Sequence, residues 1–347
     1  MNRYLLSIMK GRQNSFTAQL IMYLLLPWSF LYGLGVVCHR NLCRLQGIYR
    51  APKPVISIGN ITVGGTGKTP LVIWLVKGLQ NKGIKSIVLI RGYKPHASRM
   101  SDEVDMLNEQ IPYVPVLAGA DRSANIREAE KTLPADVYIC DDAFQHWPLH
   151  RDLNLVTIDA GNPFGNGYLL PAGILREGLS ALKRADVFML TKTDGPRDIQ
   201  NLIARLQRIN PKALIMESRY KSSATVDAFD ALSLPEDFLS GKRVAGFCAI
   251  GDPLSFELSL RNSGADVVKM FEFMDHHAYR AKDIRRMVQF CCTQNIWVLV
   301  TTHKDMVKLR SFKNLLAGIR LVYIPVQIEI TKGADEFFQK VFSLCRR

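Results

Sequence analysis

The short apolar run Val55-Ile-Ser-Ile58 leads directly into Gly59-Asn-Ile-Thr-Val-Gly-Gly-Thr-Gly-Lys-Thr-Pro70. This reads as a buried strand, a glycine-rich loop and the first turn of a helix, the arrangement that cradles nucleotide phosphates. It commits the chain to an α/β architecture built on a parallel sheet. Gly64, Gly65 and Gly67 let backbone N–H groups around Thr66 turn in on the phosphates with no Cβ in the way. Lys68 supplies a point charge, and the Thr69 hydroxyl is placed to hold Mg²⁺. The first glycine of the usual G-x-x-x-x-G-K-[ST] spacing falls on Thr62. Pro70 suits a first helical turn, where its missing N–H had no partner. The helix that follows, beginning Leu71-Val-Ile-Trp-Leu-Val76, is apolar nearly all round and is predicted to be buried, ending at Asn81-Lys-Gly83.

Charge is distributed unevenly. Residues 1–101 contain fourteen Lys and Arg and no Asp or Glu, so the net charge of +14 resides there and the remainder is neutral. Such a face attracts polyanions. The neighbouring stretch Leu20–Cys38 has Ser29 as its only clearly polar side chain, Pro27 near its middle, and aromatics at Tyr23, Trp28, Phe30 and Tyr32. Nineteen residues just suffice to span a bilayer. Positive charge on both flanks (Arg3, Lys10 and Arg12 before; Arg40, Arg44, Arg50 and Lys53 after) argues against a crossing. No cleavage site follows, which argues against a signal peptide. A membrane-associating, monotopic element on an anionic membrane surface is expected, and no nucleic-acid module is evident. The seven cysteines form no C-x-x-C pair, so neither a zinc knuckle nor a disulfide framework is expected.

Beyond the loop, apolar runs alternate with helical stretches, as in a parallel sheet. Strands are expected at Ser86–Ile90, Val137–Cys140, Leu155–Ile158 and Val187–Leu190. Each is followed by polar residues (Arg91; Asp141-Asp142; Asp159; Thr191-Lys192) that should converge at the strands' carboxyl ends. Glu217–Ser223 is polar and reads as a linker. A second α/β pattern follows: strand Val244–Ile250, a helix from Asp252-Pro253, strand Val267–Phe273, helix Ala281–Thr293, strand Ile296–Thr301, a final strand Leu321–Ile330 and helix Ala334–Leu344. The expected organisation is a membrane-associating segment over 1–40, a P-loop core over 41–222, and a smaller α/β domain over 223–347 whose last helix could pack back on the core. Two carboxylates at the end of an apolar strand, Asp141 and Asp142, suit the Mg²⁺ that Thr69 would share.

With these residues in view, the chain resembles the tetraacyldisaccharide 4′-kinase family. The resemblance rests on the loop with its trailing proline, Arg91-Gly-Tyr93, Ser101-Asp-Glu103, Asp141-Asp-Ala-Phe-Gln-His-Trp-Pro-Leu-His-Arg-Asp152, Phe164-Gly-Asn-Gly-Tyr-Leu-Leu-Pro-Ala-Gly-Ile-Leu-Arg-Glu177, Asp275-His-His277 and Thr301-Thr-His-Lys-Asp305. It implies ATP and Mg²⁺ as cofactors, two α/β domains, and γ-phosphate transfer to the 4′-hydroxyl of a lipid disaccharide 1-phosphate at the cytoplasmic face of the inner membrane. It also implies Asp102 as the base, supported by His276 from the other domain, the two meeting as the cleft closes. Arg91, Arg122, Arg176 and Gln145 are candidates for substrate binding, since guanidinium forks match phosphate oxygens. No obligatory protein partner is evident. The family's usual residues are replaced at Ser101, Ala143 and Gly178, each normally Gly, Gly and Pro respectively, and at His303, normally Glu. A glycine at 143 would matter if that backbone had positive φ.

Two other classes compete. Thr191-Lys-Thr-Asp194 mimics the guanine-reading N-K-x-D of GTPases, but no D-x-x-G switch follows the Asp pair. A membrane-associated switch ATPase would carry lysine where Val63 stands.

Overall fold

A computed structural model describes residues 3–92, 97–195, 198–222, 224–230, 232–274 and 277–346. The chain divides into two compact units: Met1–Tyr93 with Ile111–Arg219 and Ile328–Arg347, and Lys94–Gln110 with Tyr220–Gln327. The last helix falls in the first unit, and the segment bearing Asp102, which the linear division puts in the core, falls in the second.

In chain order, the first unit opens with α1 (Arg3–Met9), α2 (Phe16–Leu45), β1 (Val55–Gly59), α3 (Lys68–Gln80) and β2 (Ser86–Ile90). After α4 (Ala97–Gln110) it resumes with β3 (Val116–Ala118), α5 (Arg122–Thr132), β4 (Val137–Asp141), β5 (Leu153–Asp159), β6 (Val187–Thr191), α6 (Ile199–Ile209) and β7 (Leu214–Ser222). The second unit continues with β8 (Val226–Asp227), β9 (Arg243–Cys248), α7 (Pro253–Asn262), β10 (Asp266–Glu272), α8 (Ala281–Thr293), β11 (Val298–Thr302), α9 (His303–Met306) and β12 (Arg320–Ile324). Then β13 (Val326–Lys332) and α10 (Ala334–Cys345) lead back to the first.

The first unit is built on an eight-stranded sheet in the order β13-β7-β6-β5-β1-β4-β2-β3, its pairs from β7 to β3 all parallel. Strands covered on both faces read as continuous apolar runs, and β1, β2 and β6 are buried at every position. One face packs Val55, Leu89, Tyr138 and Cys140 with Ile126 and Ala129 of α5; another apolar cluster packs Val156, Ile158, Phe188 and Leu190 with Leu202 and Leu206 of α6. Trp74 of α3 packs at a tilt against Phe337 and Phe338 of α10, which holds the chain's last helix to the first unit.

Two sequence expectations fail here for identifiable reasons. Glu217–Ser223 is not a linker, because most of it is β7. Its polar side chains make cross-strand ion pairs, Lys332 to Glu217 at 2.9 Å and Arg219 to Glu329 at 3.0 Å. The expected single strand Leu321–Ile330 is two strands in two different sheets, separated by Pro325, which has no N–H to offer a ladder.

The thirty-residue helix α2 buries only Ala18, Ser29 and Cys43. It is not a core helix: Leu24, Trp28, Phe30 and Leu31 are each more than half exposed. Yet it is seated. Near its middle, Ser29 Oγ donates to the Leu169 carbonyl at 2.9 Å and accepts from Ala172 N–H at 3.0 Å. Asn166 N–H reaches the Met9 carbonyl at 3.1 Å, and Asn162 Nδ2 reaches that of Lys10, also at 3.1 Å. The Phe164–Glu177 motif therefore contains a socket for the N-terminal helices.

The second unit carries a five-stranded sheet, β10-β9-β11-β12-β8, with β8 antiparallel to β12. Ile284, Met287 and Cys291 of α8 fill one apolar cluster, and Phe256 and Leu260 of α7 another.

Candidate active site

The loop after β1 is built by packing as much as by glycine. A Cβ on Gly59 would lie 2.6 Å from Phe144 Cβ and 2.8 Å from its N, so only glycine lets β1 end against that stretch of backbone. Asn60 is fully buried and donates from Nδ2 to the Thr62 carbonyl at 2.9 Å. Its Oδ1 accepts from Lys68 Nζ at 3.3 Å. Gly64 (φ 123°) and Gly67 (φ 82°) take the backbone region closed to other residues and turn the chain into α3. Thr66 is buried, its Oγ1 2.7 Å from Thr157 Oγ1, and its carbonyl accepts from the Thr191 hydroxyl at 3.3 Å. Its hydroxyl thus ties the loop to β5 and its carbonyl ties it to β6, leaving the backbone N–H groups for phosphate.

Parallel register sets Ile58 of β1 beside Asp141 of β4, so the loop and the carboxylate pair emerge at the same sheet edge. Asp142 has φ 48° and projects between two cations. Arg176 Nη1 lies 3.0 Å from both its oxygens and Lys68 Nζ 3.5 Å from Oδ1. Burial raises the Asp142 carboxyl, but Lys68, then Arg176 and Arg122, outweigh it and hold the group below the usual carboxylate range. Among the described residues, no three His, Cys, Asp or Glu side chains cluster to cage a metal. Thr69, Asp141 and Asp142 instead offer the hard oxygen donors, one or two carboxylates beside a phosphate loop, that suit Mg²⁺ shared with a nucleotide.

The remaining expected residues divide. Arg176 and Arg91 stand at the edge, Arg91 exposed just past β2. Arg122 is 2% exposed and its Nη2 donates to the carbonyls of Asp141 and Asp142. It fixes the carboxylate turn from beneath. Gln145 similarly spends its amide on the Asn60 carbonyl at 2.9 Å. Asp102 lies on α4, but its side chain, like the whole of His276, falls outside the described residues.

Sequence reasoning missed Asn60 and the pair Glu177–Arg184, whose guanidinium Nη2 reaches both carboxylate oxygens within 3.0 Å and lies over Phe144 and Trp147. It missed His146 as well, pushed down to about 4 by burial and then by Arg122 and Arg151. Their signal was proximity to the recognised motifs; nothing in the residue types announced burial. Burial raises the Tyr32 hydroxyl of α2, with Arg176 lowering and Glu177 raising it in turn, so Tyr32 stands within range of this edge.

Two departures from the family pattern become intelligible. The positive φ of the Asp-Asp-Ala turn belongs to Asp142, so alanine at 143 is unstrained; it is fully buried in an apolar cluster. Gly178 has φ −62°, the value a proline would impose, so glycine occupies that backbone without altering it.

The family model described as "LpxK: Tetraacyldisaccharide-1-P 4'-kinase" matches residues 21–343. A tetraacyldisaccharide 4′-kinase of Halothermothrix orenii is 34% identical over 97% of this chain and 96% of its own length. One from Syntrophus aciditrophicus is 33% identical over 90% of this chain and 91% of its own. The crystal structure of the "apo" form of LpxK from Aquifex aeolicus in complex with ATP superposes with a TM-score of 0.71 at 27% identity, covering 93% of this chain and 99% of that one. These relationships set aside the GTPase and switch-ATPase alternatives and bear out the resemblance read from the motifs. The chain belongs to the tetraacyldisaccharide 4′-kinase family, kinases of lipid A synthesis.

Proposed function

We propose that this kinase transfers the γ-phosphoryl group of ATP to the 4′-hydroxyl of a tetraacyldisaccharide 1-phosphate, forming the bis-phosphorylated precursor of lipid A. It does so as a peripheral enzyme on the cytoplasmic face of the inner membrane. What supports this reading is a phosphate loop whose lysine lies with Asp142 and Arg176, beside the Phe164–Glu177 motif on which an exposed apolar helix is seated through Ser29.

Lys68 and the loop amides hold the β- and γ-phosphates, with Lys68 exchanging Asp142 for phosphate oxygen as nucleotide enters. Thr69 with Asp141 or Asp142 would hold Mg²⁺, which when bound neutralises charge on the transferring phosphates. The 4′-oxygen attacks the γ-phosphorus in line, the bond to the β–γ bridging oxygen breaks, and ADP leaves. The hydroxyl proton passes to Asp102, with His276 in support, both by family resemblance. Arg176 and Arg91 are the cations available to the transferring phosphoryl or to the substrate's 1-phosphate. Arg122 and Gln145 serve one step back, holding the carboxylate turn and the start of the loop.

The contacts of Ser29 support a surface arrangement of α2. If α2 crossed a bilayer, its midpoint would lie in hydrocarbon, together with the irregular backbone of Leu169–Ala172 bonded to it. Irregular backbone does not stand in lipid. A helix lying along the surface, apolar side down and basic flanks against anionic headgroups, avoids that cost.

The test uses the purified full chain, γ-labelled ATP, Mg²⁺ and the disaccharide 1-phosphate lipid. Mild acid, which cleaves a glycosyl phosphate, should leave the label on the lipid. Label released with the anomeric phosphate, or ATP turnover with no labelled lipid, would overturn the reading.

A further inference from the structure

The carboxyl-terminal turns of α4 carry an ionic cluster within the second unit. Glu109 Oε2 lies 3.3 Å from His303 Nε2, and Glu109 Oε1 accepts from Arg310 Nη2. His303 is 9% exposed and stacks on Tyr323, with ring centroids 4.9 Å apart and planes 15° from parallel. Burial pushes its imidazole below the ordinary range, so at neutral pH it donates Nε2–H as an uncharged ring and Arg310 supplies the charge. One turn earlier, Met106 packs with Val226, Met306, Val307 and Tyr323.

The clamp stands on a fixed base. Thr302 caps α9, and Asp305, completely buried, accepts from Ala249 N–H at 2.8 Å and Lys308 Nζ at 3.0 Å. His303 follows directly from β11, whose pairing with β9 and β12 fixes it in the sheet. On α4, position 102 precedes Met106 by four residues and Glu109 by seven. At about 100° per residue the three positions share one stripe of the helix.

His303 also occupies the position where the family pattern expects glutamate. A glutamate there would face Glu109 with like charge, whereas histidine donates to it. Histidine at 303 therefore suits the glutamate it faces on α4.

We infer that Glu109, gripped by His303 and Arg310, is a positioning residue: it fixes the rotation and height of α4 and so places Asp102 two turns away. The inference rests on the proposed role of Asp102 as base. A base displaced by about 1 Å costs on the order of 10²-fold in rate, while nucleotide binding to the first unit's loop is untouched.

The experiment is steady-state kinetics of the full chain on Mg-ATP and disaccharide 1-phosphate lipid in mixed micelles, with thermal melts as a fold control. H303E should lower kcat by roughly 10²-fold with the KM for ATP unchanged. E109Q added to H303E should restore most of the rate, since the introduced amide donates to the new carboxylate while its carbonyl still accepts from Arg310. In a D102A background, H303E should change kcat by less than about twofold, because residues acting as a unit are non-additive. Multiplicative losses of H303E and D102A, or failure of E109Q to rescue, would overturn the inference and leave the role of Asp102 standing. Wild-type rates for D102A would remove the base and the inference together. If H303E does not fold, E109Q alone keeps the volume of the side chain and should show the same kcat loss, smaller in size, and the same disappearance in D102A.

Discussion

The phosphate loop and α2 are neighbours in the first unit, yet they satisfy their chemistry in opposite ways. Around the loop, polar groups are answered from within the protein: Asn60 by Lys68 and Gln145, Thr66 by Thr157 and Thr191, Asp142 by Lys68 and Arg176. Along α2, thirty residues bury three, and a row of large apolar side chains faces outward. One region is completed by the fold and awaits an anion. In the function proposed above, the other is completed by the membrane. Its exposed apolar stripe is of the kind that marks an interaction surface, and its basic flanks suit a covering with negative charge.

The contrast can be broken most sharply at Lys68. K68A should abolish lipid phosphorylation, a fall of at least roughly 10³-fold, because the lost charge acts on the transferring phosphate. The melting temperature should move little, since Asp142 keeps Arg176. Retained phosphorylation would end the loop assignment. The next effect belongs to α2. Leu24, Trp28 and Leu31 fall on one outward stripe at spacings of four and three. Replacing all three with glutamine should cut partitioning into anionic vesicles by at least about 10²-fold, each side chain being worth about 1.5–3 kcal/mol when fully buried. Lipid phosphorylation should fall in step, with ATP affinity and melting temperature unchanged. A lowered melting temperature with unchanged partitioning would mean the stripe is covered by protein. A smaller effect is expected where the two regions meet. S29A strands the Ala172 N–H, while the Leu169 carbonyl keeps the Gly173 N–H at 2.8 Å; the cost should be about 1–3 kcal/mol in a denaturant melt. An unchanged midpoint would mean the helix is not held at its centre, and would reopen a full membrane crossing.

The two regions were also unequally legible in the sequence. The loop was readable because its chemistry requires particular residue types in a particular order, and β2 and α8 coincide with their expected ranges because periodicity alone marked them. The apolar character of α2 was equally plain, but its seat was not. Ser29 looked like an exception in a greasy run, and only its contact with a loop 140 residues away gives it meaning. Arg122 shows the same limit. Its residue type announced a phosphate ligand, while its position at the start of α5 turned it inward on two carbonyls. β7 was misread because charged residues in a strand resemble a linker until their cross-strand partners are known. What sequence conveys poorly is which polar side chains the fold takes out of water, and that is what Asn60, His146 and Glu177 have in common.

The smallest expected effect concerns acid stability, and it should separate the two regions by titration. α2 has no Asp or Glu to protonate. The loop region contains His146, held down to about 4 by burial and by the charges of Arg122 and Arg151. In the unfolded chain this imidazole titrates near 6.5, so between that pH and about 4 the unfolded state binds a proton that the folded state refuses. The stabilisation is complete above pH 6.5 and is lost as pH falls through this window, with a slope of at most about 1.4 kcal/mol per pH unit from one proton. H146N should flatten the dependence of unfolding free energy on pH between about 6.5 and 4, whatever it does to stability at pH 8. S29A should lower the whole curve without changing its slope. Equal slopes for H146N and the parent would mean that the imidazole is solvated or already charged in the fold. The polar network around the loop would then be more open to water than its burial implies, and closer in character to α2.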